Sequence, residues 1–220
     1  MLSFHAVNAY RQHADTTRKN KEGTIMNTDI ILSGVGGQGI LSIATIIGAA
    51  AIKENLFIKQ AEVHGMSQRG GDVQSNLRIS SEPIASDLIP LGKADLIISL
   101  EPMEAMRYLP YLKKSGWIIT NTAPFINIPN YPELDTLLQS IKALNHHVSL
   151  DVDKIAKEVA SPRCANIVLL GAASPFLGIE VEKIEDGIRN VFSRKGEAIV
   201  DINLKAFHAG LKVADEHIKK

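Results

Sequence analysis

The thirteen residues "DIILSGVGGQGIL", Asp29 to Leu41, decide the fold. An apolar run that ends in closely spaced glycines and resumes as an apolar segment predicts a strand, a tight turn and a helix. The helix continues through "ILSIATIIGAAAIKEN", apolar almost all round. Its small residues Ser42, Ala44, Gly48, Ala49 and Ala50 allow close packing against a sheet, so it is expected to be buried.

Working outward, "LFIKQAEV" reads as a second strand and "HGMSQRGGD" as a polar loop. In "VQSNLRIS", Val73, Ser75, Leu77 and Ile79 alternate with polar neighbours, the period of a half-buried strand. "ADLIISL", "EPMEAMRYLPYLKKSG" and "WIITNT" then predict a strand, a helix stopped by Gly116 and a further strand. "PELDTLLQSIKALN", "HHVSLD" and "DVDKIAKEVA" continue the alternation, the last capped by Asp151 or Asp153. From Cys164 on the chain reads as helical, with breaks at Pro175, Gly178 and Gly196. The pattern predicts an α/β, Rossmann-like doubly wound fold: a mostly parallel sheet, helices on both faces and a helical C-terminal part. Ligands of such sheets sit at the carboxyl ends of the strands, where the glycine turn and the loop after His64 both lie.

Composition narrows the function. Across 220 residues, 24 Lys and Arg balance 24 Asp and Glu, so no net field favours nucleic acid or an anionic membrane. One cysteine, Cys164, excludes an internal disulfide and a cysteine-ligated iron–sulfur cluster held by this chain alone. No stretch approaches the roughly 20 apolar residues of a membrane span, and the first 25 residues lack the apolar centre of a secretory signal. A soluble, cytoplasmic protein is expected. Residues 1–25 read as a disordered N-terminal extension, with Met1 and Met26 both open as the true start.

Gly34, Gly36 and Gly39 fit G-x-G-x-x-G, with Gly37 and Gln38 between, the pattern that brings a pyrophosphate to the backbone at a helix start. A dinucleotide site also needs an acid ending the second strand. Taken to end in "IKQ", that strand has Glu54 before it and Glu62 past its end. Three readings stay open: glycines that only permit tight packing, amides that contact a phosphate or a neighbouring subunit, and a complete nicotinamide site.

The other unusual stretch is "AEVHGMSQRGGDVQ", where Glu62, His64, Ser67, Gln68, Arg69 and Asp72 are interleaved with Gly65, Gly70 and Gly71. Arg69, followed by two glycines, can offer its planar fork to a phosphate or carboxylate, and His64 can move a proton near neutral pH. The alternative is structural, with Arg69 pairing with Glu62 or Asp72. Ser99, Glu101 and Pro102 end a strand on the ligand side, where Glu101 either lines the crevice or serves as an early-helix acid. His146 and His147 adjoin on a strand and point to opposite faces, so no metal site is indicated. Cys164 reads as a packing residue.

Taken together, "SGVGGQGI", "AEVHGMSQRGGDVQSNLRI", "ADLIISLEPMEAMR" and "NIVLLGAAS" resemble the gamma-type domain of the 2-oxoacid:ferredoxin oxidoreductases, over about residues 26–220. "HGMSQRGG" resembles the arylpyruvate branch of that family. The resemblance implies a gamma-type catalytic domain that binds no cofactor alone and holds no complete catalytic set. It implies a large alpha subunit carrying thiamine diphosphate and iron–sulfur clusters, ferredoxin as acceptor, and arylpyruvate and coenzyme A as substrates. By the same resemblance Gly34, Gly36, Gly37, Gln38 and Gly39 form the turn at the interface. Glu62, His64, Ser67, Arg69, Gly70 and Gly71 form the loop facing the partner's site, with Arg69 contacting an anion. A stand-alone NAD(P)-dependent oxidoreductase and a purely structural assembly module are the competing functions.

Overall fold

The computed structural model describes residues 25–64 and 70–219, His64 by its backbone alone. The expected extension over 1–25 therefore falls, Ile25 apart, outside the described residues. Strand β1, Asn27–Val35, is buried along all but its first residue, because the run Ile30–Leu32 supplies apolar side chains to both faces of the sheet. It pairs antiparallel with β3, Asp72–Ser80, and parallel with β4, Ala94–Ser99. Strand β2, Phe57–His64, lies outside β3, and β5, Leu112–Asn121, and β6, His147–Leu150, extend the other side in parallel. The order is β2-β3-β1-β4-β5-β6. The mostly parallel sheet expected from the alternation is present as a mixed one, in which β3 alone runs against the rest.

Helices α1, Ile40–Lys53, α4, Val152–Val159, α5, Ala165–Ala173, α6, Val181–Phe192, and α7, Glu197–Ile218, contribute to the core on one face. There Ile30, Leu32, Leu77 and Ile98 meet Ile43, Ile47, Leu169, Ile188 and Phe207. Each such side chain contributes about 1.5–3 kcal/mol through burial. The other face carries less: α2, Pro102–Arg107, α3, Leu134–Lys142, and the loop 81–93. A smaller cluster of Ile31, Ile97, Ile118, Ile89, Ala105 and Tyr108 lies there. Helices thus sit on both faces as expected, though unequally.

Strand β3 is buried more fully than its alternation predicts. Asn76, on the expected polar side, is buried because its Oδ1 accepts the Ile89 amide at 3.1 Å, drawing the loop 81–93 over the sheet. Arg78 holds the same loop, donating to the Ser86 carbonyl at 3.1 Å while its guanidinium forks onto Asp29 at 2.7 and 3.0 Å.

The helix expected across Glu101 to Gly116 is corrected. It stops at Arg107, a 3-10 turn follows at Leu109–Tyr111, and β5 has already begun at Leu112. Pro110 disfavours the helical conformation at Leu109 and supplies no amide hydrogen, which explains the early end. No helix among the described residues is long and apolar enough to cross a membrane.

Helices α5 and α7 touch backbone to backbone at two glycines. A Cβ on Gly171 would stand 1.9 Å from the Phe207 carbonyl oxygen, and one on Gly210 1.8 Å from that of Val168. Gly210→Ala must therefore push the helices apart and is expected to cost about 1–3 kcal/mol. Urea unfolding checks this, and an unchanged midpoint would contradict the contact.

Candidate functional site

Beyond Val35 the chain turns back through Gly36 and Gly37, and the Gln38 amide donates to the Val35 carbonyl at 3.1 Å. Gln38 then closes the turn with its side chain. Its Oε1 accepts the Val35 amide at 2.7 Å, and its Nε2 donates to the Leu100 carbonyl at the end of β4 at 3.2 Å. Gly34 permits this closure, since a Cβ there would lie 2.8 Å from both Gln38 Oε1 and Ile40 Cδ1. Gly39 starts α1 in the left-handed region at φ 89, where side chains are strained. Asn166, on the first turn of α5, donates to its carbonyl at 3.1 Å.

The two glycine-rich segments are one unit. The Gly36 amide donates to the Gly71 carbonyl at 2.9 Å, the Gly70 amide to the Gly36 carbonyl at 3.4 Å, and Asn127 Nδ2 to the Gly70 carbonyl. The predicted residues Gly34, Gly36, Gly37, Gln38, Gly39, Gly70 and Gly71 are thereby brought together. Glu62 belongs to β2 rather than lying past its end, and its Oε1 accepts from Gln60 at 2.9 Å. Ser67, Arg69 and the His64 side chain lie outside the described residues.

Two cavities flank the turn. One of about 410 Å³ is lined by Val35, Gly36, Leu41, Glu62 and Val73. The other, about 690 Å³, opens between the starts of α1, α4, α5 and α7, with Ser42, Asn121, Arg163, Cys164 and Lys195 on its walls. Cys164 is buried, and burial pushes its thiol pKa up.

A dinucleotide is poorly served. The amides of Val35, Gly36 and Gln38 already have acceptors within the chain. Because β3 separates β1 from β2, the end of β2 stands two strand spacings, roughly 9–10 Å, from β1. Glu62 is displaced by one strand spacing, roughly 5 Å, from the strand beside β1 on which a ribose acid belongs.

Glu101 proves to be a cap and an anchor. Its side chain is fully buried, Oε2 accepts the Glu104 amide at 2.8 Å, and Oε1 accepts the Phe125 amide at 3.4 Å and the Tyr131 hydroxyl. Ser99 Oγ donates to the Glu101 carbonyl at 2.7 Å. Asn121 ties the same segment, donating to the Ala123 carbonyl and accepting its amide. His146 stacks on Trp117, while His147 Nδ1 lies 2.9 Å from the Leu144 carbonyl. The roles of Gln38, Asn121, Asn127, Tyr131 and Asn166 were not anticipated from sequence. Only Gln38, inside the glycine pattern, carried a local signal.

Beside this anchor Glu104 is 2% exposed, with Asp72 and Glu101 nearby. Burial raises its carboxyl pKa above 4.5, outweighing the Arg107 guanidinium at 2.8 Å. A carboxyl whose pKa is higher folded than unfolded adds stability below the unfolded value, and that stability is lost as pH rises through the folded value. Wild type is therefore expected to lose stability relative to Glu104→Gln as pH rises from about 4 to neutrality. Parallel urea titrations of the two proteins across that range would expose a flat difference if burial does not dominate.

The family described as pyruvate ferredoxin/flavodoxin oxidoreductase matches residues 29–213. Indolepyruvate oxidoreductase subunit IorB of Thermococcus kodakarensis is 37% identical over 198 residues, covering 86% of this chain and 96% of that protein. Ketoisovalerate oxidoreductase subunit VorA of Methanothermobacter marburgensis is 28% identical over 86% of this chain and 37% of its own length. Among solved structures, the keto/oxoacid ferredoxin oxidoreductase gamma subunit of Geobacter sulfurreducens superposes with TM-score 0.65 at 28% identity, over 87% of this chain and 98% of that one. The 2-oxoglutarate:ferredoxin oxidoreductase of Magnetococcus marinus, described with 2-oxoglutarate, coenzyme A and succinyl-CoA bound, shares the fold at TM-score 0.68 and 22% identity. It matches 86% of this chain, which spans about a third, 31%, of that longer chain.

Proposed function

The chain belongs to the pyruvate ferredoxin/flavodoxin oxidoreductase family and is a subunit of a 2-oxoacid:ferredoxin oxidoreductase complex, and from that premise we propose that its complex acts on arylpyruvates such as indolepyruvate. The observation that carries the reading is the 37% identity to an indolepyruvate oxidoreductase subunit along nearly the whole of both chains. The reaction is the coenzyme A-dependent oxidative decarboxylation of the 2-oxoacid. Arylpyruvate and coenzyme A give arylacetyl-CoA, carbon dioxide, a proton and two electrons, which pass to ferredoxin. Thiamine diphosphate and iron–sulfur clusters on a large partner subunit supply the decarboxylation and the electron path.

This chain contributes shape and polar contacts. The joined turn, Gly34 to Gly39, and the paired Gly70 and Gly71 form a fixed floor at the carboxyl ends of the strands. Glu62, His64, Ser67 and Arg69 complete the edge that faces the partner's site. Arg69 supplies an anion contact, to the substrate carboxylate or a coenzyme A phosphate. The amides of Val35, Gly36 and Gln38, each bonded within the chain, speak against a stand-alone nicotinamide enzyme.

Anaerobic affinity purification of the chain from its native cells tests the complex. A co-purifying large subunit, iron, thiamine diphosphate and arylpyruvate-dependent ferredoxin reduction are expected in the eluate. A chain that elutes alone and active would refute it. In the assembled complex Arg69→Ala is expected to raise KM for coenzyme A or arylpyruvate about tenfold or more, the loss of a charged hydrogen bond of about 1.5–3 kcal/mol. Unchanged kinetics would favour the purely structural module.

A further inference from the structure

Asn121, the last residue of β5, is 2% exposed, and one side-chain amide carries all its side-chain bonds. Its Nδ2 donates to the Leu100 carbonyl at 3.3 Å, the Ala123 carbonyl at 3.3 Å and Asp153 Oδ2 at 2.9 Å. Its Oδ1 accepts the amides of Ala123 and Val152, both at 3.1 Å. Reversing the amide would set its oxygen against two carbonyls and a carboxylate, so the partners fix its orientation. The Leu100 carbonyl also accepts Gln38 Nε2 at 3.2 Å, and Gln38 Oε1 holds the Val35 amide at 2.7 Å. The Leu100 amide returns to β1 by donating to the Ser33 carbonyl at 3.0 Å. Two side-chain amides thus link the carboxyl ends of β1, β4 and β5 to the start of α4 after β6, along four neighbouring strands of the sheet.

Gln38, Leu100, Asn121, Val152 and Asp153 all line the larger cavity, of about 690 Å³, so the relay between the two amides is also one of its walls. We infer that Asn121 is a positioning residue for the reaction, one that sets the glycine turn and this wall through the Leu100 carbonyl, an inference that rests on the reading under Proposed function. It acts through Leu100 and Gln38 and touches no reacting atom. The bonds decide the residue type. A carboxylate in its place keeps the acceptor contacts and loses every donor, while an apolar side chain leaves the buried Val152 amide unpaired. A carboxyl at this buried place beside Asp153 keeps its proton above the ordinary carboxylate range, because burial and the like charge both disfavour ionisation. Arg163 and Lys195, the other charged residues on the cavity walls, oppose this but make no bond to Asn121. The protonated carboxyl returns one donor, which is lost again as pH rises.

The first readout uses the isolated full chain, in which the Val35 backbone amide and the Gln38 side-chain amide are followed by nitrogen NMR. In Asn121→Asp both are expected to leave their wild-type positions at about pH 8 and to return toward them at about pH 6. Asp153→Ala, which empties the half-buried outer end of the relay, is the second variant and is expected to move both. Asp151→Ala removes the cap of α4 without touching the relay and is expected to move neither. Resonances that stay in place in both relay variants, or that move equally in Asp151→Ala, overturn the relay. The second readout is steady-state kinetics of the assembled complex, per thiamine diphosphate. Asn121→Asp is expected to raise KM for coenzyme A or arylpyruvate about fivefold over wild type at about pH 8, and less than about twofold at about pH 6. Partly unfolded chain lowers kcat and leaves KM in place. Unchanged kinetics, or a loss confined to kcat, therefore overturns the positioning role and leaves the subunit assignment standing. A wild-type complex without arylpyruvate-dependent ferredoxin reduction removes the functional reading, and the positioning role with it.

Discussion

The antiparallel ladder between β1 and β3 is the constraint on which the rest depends. It runs in register from Asn27 opposite Ser80 to Val35 opposite Asp72 and continues past the strands into the Gly36–Gly71 bond. A slip of one residue would turn Arg78 toward the large apolar core and separate it from Asp29, so that ion pair pins the register at one end. At the other end the register sets the two glycine-rich segments against each other. Because β3 occupies the flank of β1, β2 is displaced to the sheet edge.

That displacement changes what the glycine turn is for. In a dinucleotide fold the turn leaves its amides open and finds an acid on the neighbouring strand. Here Gln38 folds back over the turn and bridges the ends of β1 and β4. The conformational freedom of the glycines is used to admit Gln38 and Asn166, the nearest obstacles to side chains at Gly34 and Gly39. The same backbone geometry is thus closed by a side chain of its own segment.

Most of the fold was legible because strand and helix periods are local. The buried α1, β1 and β4 follow from apolar runs beside small residues. The reversal of β3 was also encoded, since only seven residues lie between His64 and Asp72, whereas a parallel crossover needs a dozen or more. The end of α2 was readable at Pro110. The site was less legible. Asn166 reaches Gly39 across 127 positions and Arg78 reaches Asp29 across 49, and no periodicity links such pairs. Glu101 was ambiguous for another reason: capping a helix and lining a crevice call for the same residue type. Only the positions of Phe125 and Tyr131 decide between them.

The unequal faces of the sheet divide the work. Stability is concentrated where α1, α5, α6 and α7 cover the strands, with α5 and α7 meeting backbone to backbone. The carboxyl-end loops add little apolar burial and are shaped instead by hydrogen bonds to buried carboxylates and amides. Asn166 connects the two regions, because it stands on the first turn of α5 and holds the Gly39 carbonyl. A shift of α5 against α7 would move Asn166 and with it the Gly39 carbonyl at the start of α1. The glycine contacts far from the turn thus help fix the geometry of the turn itself.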